Sequence, residues 1–128
     1  MEKEEEEEVS TKHFSDMELS CQCGCGFKIT DDLFLRRLEY AREYARTPFI
    51  ITSAARCEKH NKEVGGVADS AHTKGLAVDI AFKDSNQCFK IMDALFKAGF
   101  KRIGINFNKS FIHCDTDDSK PQNVLFKY

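Results

Sequence analysis

"SAHTKGLAVDIAF", residues 70–82, joins a histidine-bearing turn to a strand-like run with a carboxylate in its middle. From Leu76 the apolar residues alternate: Leu76, Val78, Ile80 and Phe82 share one face, and Ala77, Asp79 and Ala81 share the other. A strand of this pattern lays one face on a core and turns the other, lined by small residues, toward a site. An ionised Asp79 on a surface of alanines is costly unless it is paired or metal-bound. His72 precedes a turn containing Gly75 that folds the chain back toward Asp79. On a continuous helix, seven residues would instead separate the two by about 10 Å.

A second histidine stands in a comparable setting. "KRIGINF" (101–107) and "KSFIHCDT" (109–116) read as two short strands around a turn at Asn108-Lys109, which predicts an antiparallel hairpin. In the second of these strands His113 and Asp115 point to the same side. If that strand neighbours the one carrying Asp79, then His72, Asp79 and His113 converge, two imidazoles and one carboxylate with a position left open for water. Three protein ligands and an exchangeable fourth position make the pattern of a catalytic zinc.

Around this centre the chain reads as helices mixed with strands. "TDDLFLRRLEYAREYARTPF" (30–49) places Phe34, Leu38, Ala41 and Ala45 at helical spacing, with Asp31 near the start and Pro48 beyond the end. "FIITS" (49–53) reads as a buried strand that delivers Ser53 and Arg56 into the following loop. "CEKHNKEVGG" (57–66) predicts one or two helical turns stopped by Gly65-Gly66. "DSNQCFKIMDALFKAGF" (84–100) predicts a second long helix with Cys88, Ile91, Met92 and Leu95 on one stripe and Gly99 at its end. Ser15 and Glu18 are spaced to cap a short helix, and "NVLFKY" (123–128) can add an edge strand. Without regular strand–helix alternation, the expected class is α+β, an antiparallel sheet packed with helices.

The 128 residues fit one domain with an ordinary core, and 41% hydrophobic residues with eleven Phe and no Trp describe a globular protein. No apolar stretch approaches the ~18 residues that a membrane span requires. Residues 1–8 hold six Glu and one Lys; removing them from the 21 acidic and 19 basic residues leaves 15 and 18, a mildly basic body behind an acidic segment. Residues 1–10 are expected to form a disordered acidic tail, and 11–128 a single, monomeric domain. An acidic amino terminus is not a secretory signal, so the chain is expected to be made in the cytoplasm and brought to its place of action by other means. The mild basicity tolerates an anionic polymer such as cell wall. It lacks the dense Lys/Arg stripe of a nucleic-acid binder.

Three of the six cysteines cluster in "CQCGCGF", as Cys21, Cys23 and Cys25, while Cys57, Cys88 and Cys114 stand apart. A structural zinc on the cluster plus Cys57 is conceivable, but the C-x-C-x-C spacing differs from the usual C-x2-C knuckle. One or two disulfides, or reduced thiols, are expected instead, with Cys88 and Cys114 as small core residues.

"ITSAARCEKHN" (51–61), "SAHTKGLAVDI" (70–80) and "IGINFNKSFIHCD" (103–115) together resemble the successive blocks of zinc D-Ala-D-Ala carboxypeptidases and peptidoglycan endopeptidases, which share fold and metal site with the hedgehog signalling domain. The opening "FSDMELSCQCGCG" (14–26) is similar to that of a short phage and bacterial branch. The most specific element is S-x-H-x2-G-x-A-x-D, met by Ser70, His72, Gly75, Ala77 and Asp79. The resemblance implies a hedgehog/DD-peptidase-like fold and one catalytic zinc on His72, Asp79 and His113, acting on peptidoglycan stem peptides as a D,D-carboxypeptidase or a murein endopeptidase, such as a phage endolysin. It implies that Arg56 stabilises the oxyanion, and that Ser70 either holds the substrate or only fixes the turn. Ser53 and His60 also fall in these blocks, where structural hydrogen bonding suffices for them. In better-known carboxypeptidases the general base stands three residues before the last histidine ligand, where this chain has Ser110. Asp115 is then the base, an acid orienting an imidazole, or a further ligand. The rival reading is a non-catalytic, zinc-containing wall-binding or virion structural module.

Overall fold

The computed structural model describes residues 11–128; the expected acidic tail, 1–10, lies outside the described residues. In chain order the elements are α1 (Asp32–Ala45), β1 (Ile50–Ser53), α2 (Glu58–Glu63), a 3-10 turn (Ala71–Lys74), β2 (Ala77–Ala81), α3 (Ser85–Lys97), β3 (Arg102–Asn106), β4 (Phe111–Asp115) and β5 (Val124–Lys127).

Both long helices form where the apolar spacing placed them. Asp31 caps α1 by accepting the Phe34 N–H, and Asp84 caps α3 by accepting that of Gln87. The helices pack against each other and against one face of the sheet. Phe34, Leu38, Ile91 and Leu95 there meet Val78, Ile80, Ile103 and Ile112, all of them fully buried. Each large aliphatic or aromatic side chain so buried contributes about 1.5–3 kcal/mol relative to exposure. Cys114 is a small residue of this core, whereas Cys88 is only half-buried at its margin.

The sheet runs β1-β2-β4-β3-β5. The hairpin β3–β4 and the pairs β1–β2 and β2–β4 are antiparallel, and β5 adds to the edge parallel to β3. The α+β class stands, with one parallel pairing on an otherwise antiparallel sheet. β1 is an edge strand and not the buried strand expected: Ile50 is 58% exposed, while Ile51 packs on the core. Its run of β-branched residues matched a buried strand because composition alone does not separate edge from centre. Ser15 and Glu18 do exchange reciprocal capping bonds of 2.8 and 3.1 Å, but around a single turn rather than a helix.

Of the arrangements expected for the cysteines, the structure has free thiols and not disulfides. All six are free, and Cys57 joins the sequence-distant Cys21, Cys23 and Cys25.

Candidate metal centre

β2 and β4 are neighbours, and Asp79 stands directly opposite His113 in their register. On this face of the sheet, away from the helices, β4 also carries Asp115 and β2 carries Ala77 and Ala81. The third member arrives from the 3-10 turn. Ser70 caps that turn, its hydroxyl accepting the His72 N–H at 3.2 Å, and Gly75 ends it in the left-handed region at φ 69°. The reversal at Gly75 brings His72 Nε2 to 3.2 Å from Asp79 Oδ1, and His113 Nδ1 approaches the same oxygen to 3.1 Å. One ligand atom from each of the three residues lies within 4.8 Å of the other two.

The outer nitrogens of the two rings decide what the inner ones can do. His72 Nδ1–H donates to the Ala54 carbonyl at 2.7 Å, and His113 Nε2–H donates to Asp115 Oδ2 at 2.6 Å. In the neutral tautomers that these bonds assign, His72 Nε2 and His113 Nδ1 are bare lone pairs facing a carboxylate oxygen. Lone pairs against an anion repel unless a proton or a metal cation sits between them. A buried set of two imidazoles and a carboxylate is a donor set suited to zinc. Absent a metal, only a proton can relieve that repulsion. Burial disfavours the Asp79 anion, but hydrogen bonds from His113 and His72 outweigh it and hold the carboxyl at about 2. Burial likewise disfavours His113 imidazolium, and the hydrogen bonds to Asp115 and Asp79 overcome it and raise the pKa.

Asp115 is committed on every side. Besides His113, it accepts Arg102 Nε–H at 2.8 Å and the Asp117 N–H at 3.0 Å through Oδ1, and it is 1% exposed. Arg102 in turn donates to the Pro121 carbonyl and stacks over the Phe126 ring. This is a carboxylate–histidine pair of the sort that orients metal ligands.

Arg56 reaches the site from the loop after β1. Its backbone N–H donates to the His72 carbonyl at 3.0 Å, and its Nη1 donates to Asn61 Oδ1 at 3.0 Å. Asn61, buried in α2, is itself held by its Nδ2–H to the Val67 carbonyl at 2.8 Å. Gly66 permits this approach, since a Cβ there would stand 2.1 Å from Asn61 Oδ1. Arg56 Nε is buried and unpartnered. Two cavities of about 490 and 400 Å³ meet at the site and share Arg56, Asp79 and Phe111. Ser70, His72 and His113 line the first; Ser53 and His60 line the second. Ser110 occupies the β3–β4 turn at φ 58°, where its carbonyl accepts the Phe82 N–H.

Sequence reasoning missed Asn61, Gly66 and Arg102, and it gave the C-terminal strand no part in the site. Phe126 and Tyr128 wall the larger cavity from β5 and the residue beyond it. Phe126 lies over Gly104, where a Cβ would come within 2.3 Å of its ring, and it packs on the His113 imidazole. Burial and the nearby Asp79 charge push the Tyr128 phenol up to about 12, so at neutral pH it is a hydrogen-bond donor. The one available signal was the alternation of Phe126 and Tyr128 in a strand. Which face they joined depended on pairing with β3.

The Peptidase M15 family model matches residues 12–115, which include all three candidate ligands. No curated protein matches the chain.

Proposed function

The chain belongs to the peptidase M15 family, and from that premise and the site's geometry we propose that it is a zinc-dependent enzyme that hydrolyses peptide bonds next to D-amino acids in peptidoglycan stems or crosslinks. The observation that carries this reading is the convergence of His72 Nε2, Asp79 Oδ1 and His113 Nδ1, with the opposite nitrogen of each ring already donating elsewhere. These three atoms would hold the ion. When bound, zinc supplies a Lewis acid that polarises the scissile carbonyl and acidifies a water.

The other residues take roles that follow from their contacts. Arg56, fixed by Asn61 and with Nε unpartnered, would donate to the oxygen that gains negative charge as water attacks; its place on the wall of both cavities supports this role. Asp115 holds the His113 tautomer and ring plane. Its three hydrogen bonds support this orienting role over that of general base or further ligand. Among the described residues lining the two cavities, His60 is the imidazole besides the candidate ligands, and it would accept a proton from the attacking water. Ser70 caps the turn that carries His72, and its place on the cavity wall supports a contact with substrate as well. Cavities on both sides of Asp79 suit a peptide that continues past the scissile bond.

Purified protein incubated with crosslinked muropeptides should yield products that mass spectrometry detects and that a chelator prevents. His72→Ala or Asp79→Ala should abolish both cleavage and tight zinc binding at this centre, and full activity in either variant would overturn the site. One observation favours a second reading, the non-catalytic wall-binding or virion module. Among the described residues lining the two cavities, the only carboxylates are Asp79 and the fully engaged Asp115. Zinc-dependent binding of muropeptides with no products would select it.

A further inference from the structure

We propose that Cys21, Cys23, Cys25 and Cys57 hold a second, structural zinc ion, which fastens an N-terminal hairpin to the start of α2 beside Arg56. The four sulfurs all lie within 4.8 Å of one another. Cys21 Sγ is 3.4 Å from Cys23 Sγ and 3.8 Å from Cys57 Sγ, and Cys23 Sγ is 3.6 Å from Cys57 Sγ. A tetrahedral tetrathiolate with Zn–S of about 2.3 Å requires sulfur–sulfur edges of about 3.8 Å. A disulfide would require about 2.05 Å.

The backbone explains how an alternating spacing can form such a site. In an extended strand, residues two apart stand about 6.6 Å from each other, too far to share one small ion as neighbouring ligands. Here Ser20 bridges Lys28, and Cys21 N–H donates to the Phe27 carbonyl at 2.7 Å, so that the cysteines occupy a tight hairpin loop. Gly24 at φ 84° and Gly26 at φ 95° supply the left-handed conformations that curl the loop. Two backbone donors already point at sulfur, Cys57 N–H at Cys21 and His60 N–H at Cys57, each at 3.4 Å. Such N–H groups offset the charge of metal thiolates.

Four thiolates saturate a tetrahedral ion and leave no position for water, in contrast to the three donors at Asp79. All-sulfur donors select zinc over magnesium or calcium, and binding releases the thiol protons to solvent. The site would therefore act on structure. Gln22 in the same hairpin donates to the Thr52 carbonyl at 2.7 Å and lines the second cavity, and Cys57 directly follows Arg56. The ion would clamp one cavity wall to the segment that carries Arg56.

The test separates this site from the one at Asp79 by removing the latter. A His72→Ala/His113→Ala variant, prepared under reducing conditions with zinc and then dialysed, should retain one zinc per chain by native mass spectrometry. Replacing that zinc by cobalt should produce the near-ultraviolet thiolate-to-cobalt charge-transfer absorption of a tetrahedral centre. Adding Cys25→Ser, at an exposed position, should eliminate the tight ion and that absorption. If the cysteine variant fails to fold, modification of the histidine variant with an organomercurial should release one zinc per chain. An absence of zinc from the histidine variant, disulfides in the non-reduced mass, or zinc that survives loss of the thiols would each overturn the proposal. None of these outcomes depends on whether the chain is a peptidase.

Discussion

At His113 two ring nitrogens divide the work, Nδ1 facing Asp79 and Nε2 donating to Asp115. In the proposed zinc site the carboxylate of Asp115 would thereby be tied to metal affinity without touching the metal position. Asp115→Asn keeps an oxygen for His113 but weakens its hold and removes the ionic partner of Arg102. It should lower zinc affinity about 10–100-fold, as read by competition with a chelator of known affinity. An unchanged affinity would leave Asp115 without the orienting role. Because neighbouring carboxylates raise the His113 pKa, protons compete for Nδ1 at a higher pH than they would at an ordinary imidazole. Zinc binding should accordingly begin to weaken at higher pH than for a site of unperturbed histidines.

Helix α1 and the 3-10 turn show how elements support that residue from opposite sides of the sheet. Leu38 sits at the centre of the buried stripe of α1 and is 0% exposed. Leu38→Ala should cost about 2–5 kcal/mol in urea unfolding, through lost burial and the cavity left behind. A cost near zero would mean that α1 is not part of the core. On the site face, Lys74 at the end of the 3-10 turn donates to Asp117 Oδ2 at 2.9 Å, pinning the turn that carries His72 to the segment leaving β4. Burial opposes ionisation of Asp117, but Lys74 and Ser119 outweigh it and bring its pKa from 3.8 down to about 2. The folded value lies below the unfolded one, so the ionised group stabilises the fold above 3.8 and loses that contribution as pH falls toward about 2. In Lys74→Ala the decline of Tm across this acid window should be shallower. The same slope in both proteins would show that the pair contributes nothing.

For the molecule as a whole, an ion bound only by the native state adds to stability by mass action, about 2.7 kcal/mol when free zinc is a hundred times Kd. Chelation should lower Tm, and His72→Ala should show a smaller drop because it has already lost one ion. Equal drops in the two proteins would place the stabilising metal elsewhere. Much of the framework behind these effects was legible in the sequence, for a local reason. The apolar spacing of α1 and α3, the alternation through β2 and the turn at Gly75 are each set within a few residues, by periodicity and backbone preference. The candidate ligands could be named as well, because an acid on a small-residue strand face requires a partner and His113 occupies a matching strand. Asn61 beneath Arg56, Arg102 behind Asp115 and Phe126 over Gly104 were not legible. Each pairs residues from separate segments, and nothing in local spacing records which neighbour a strand or loop will acquire. What the sequence determined by itself was the set of elements and the face on which each reactive side chain lies. Only the tertiary structure decided which faces meet, since the order β1-β2-β4-β3-β5 follows from burying the whole apolar surface at once.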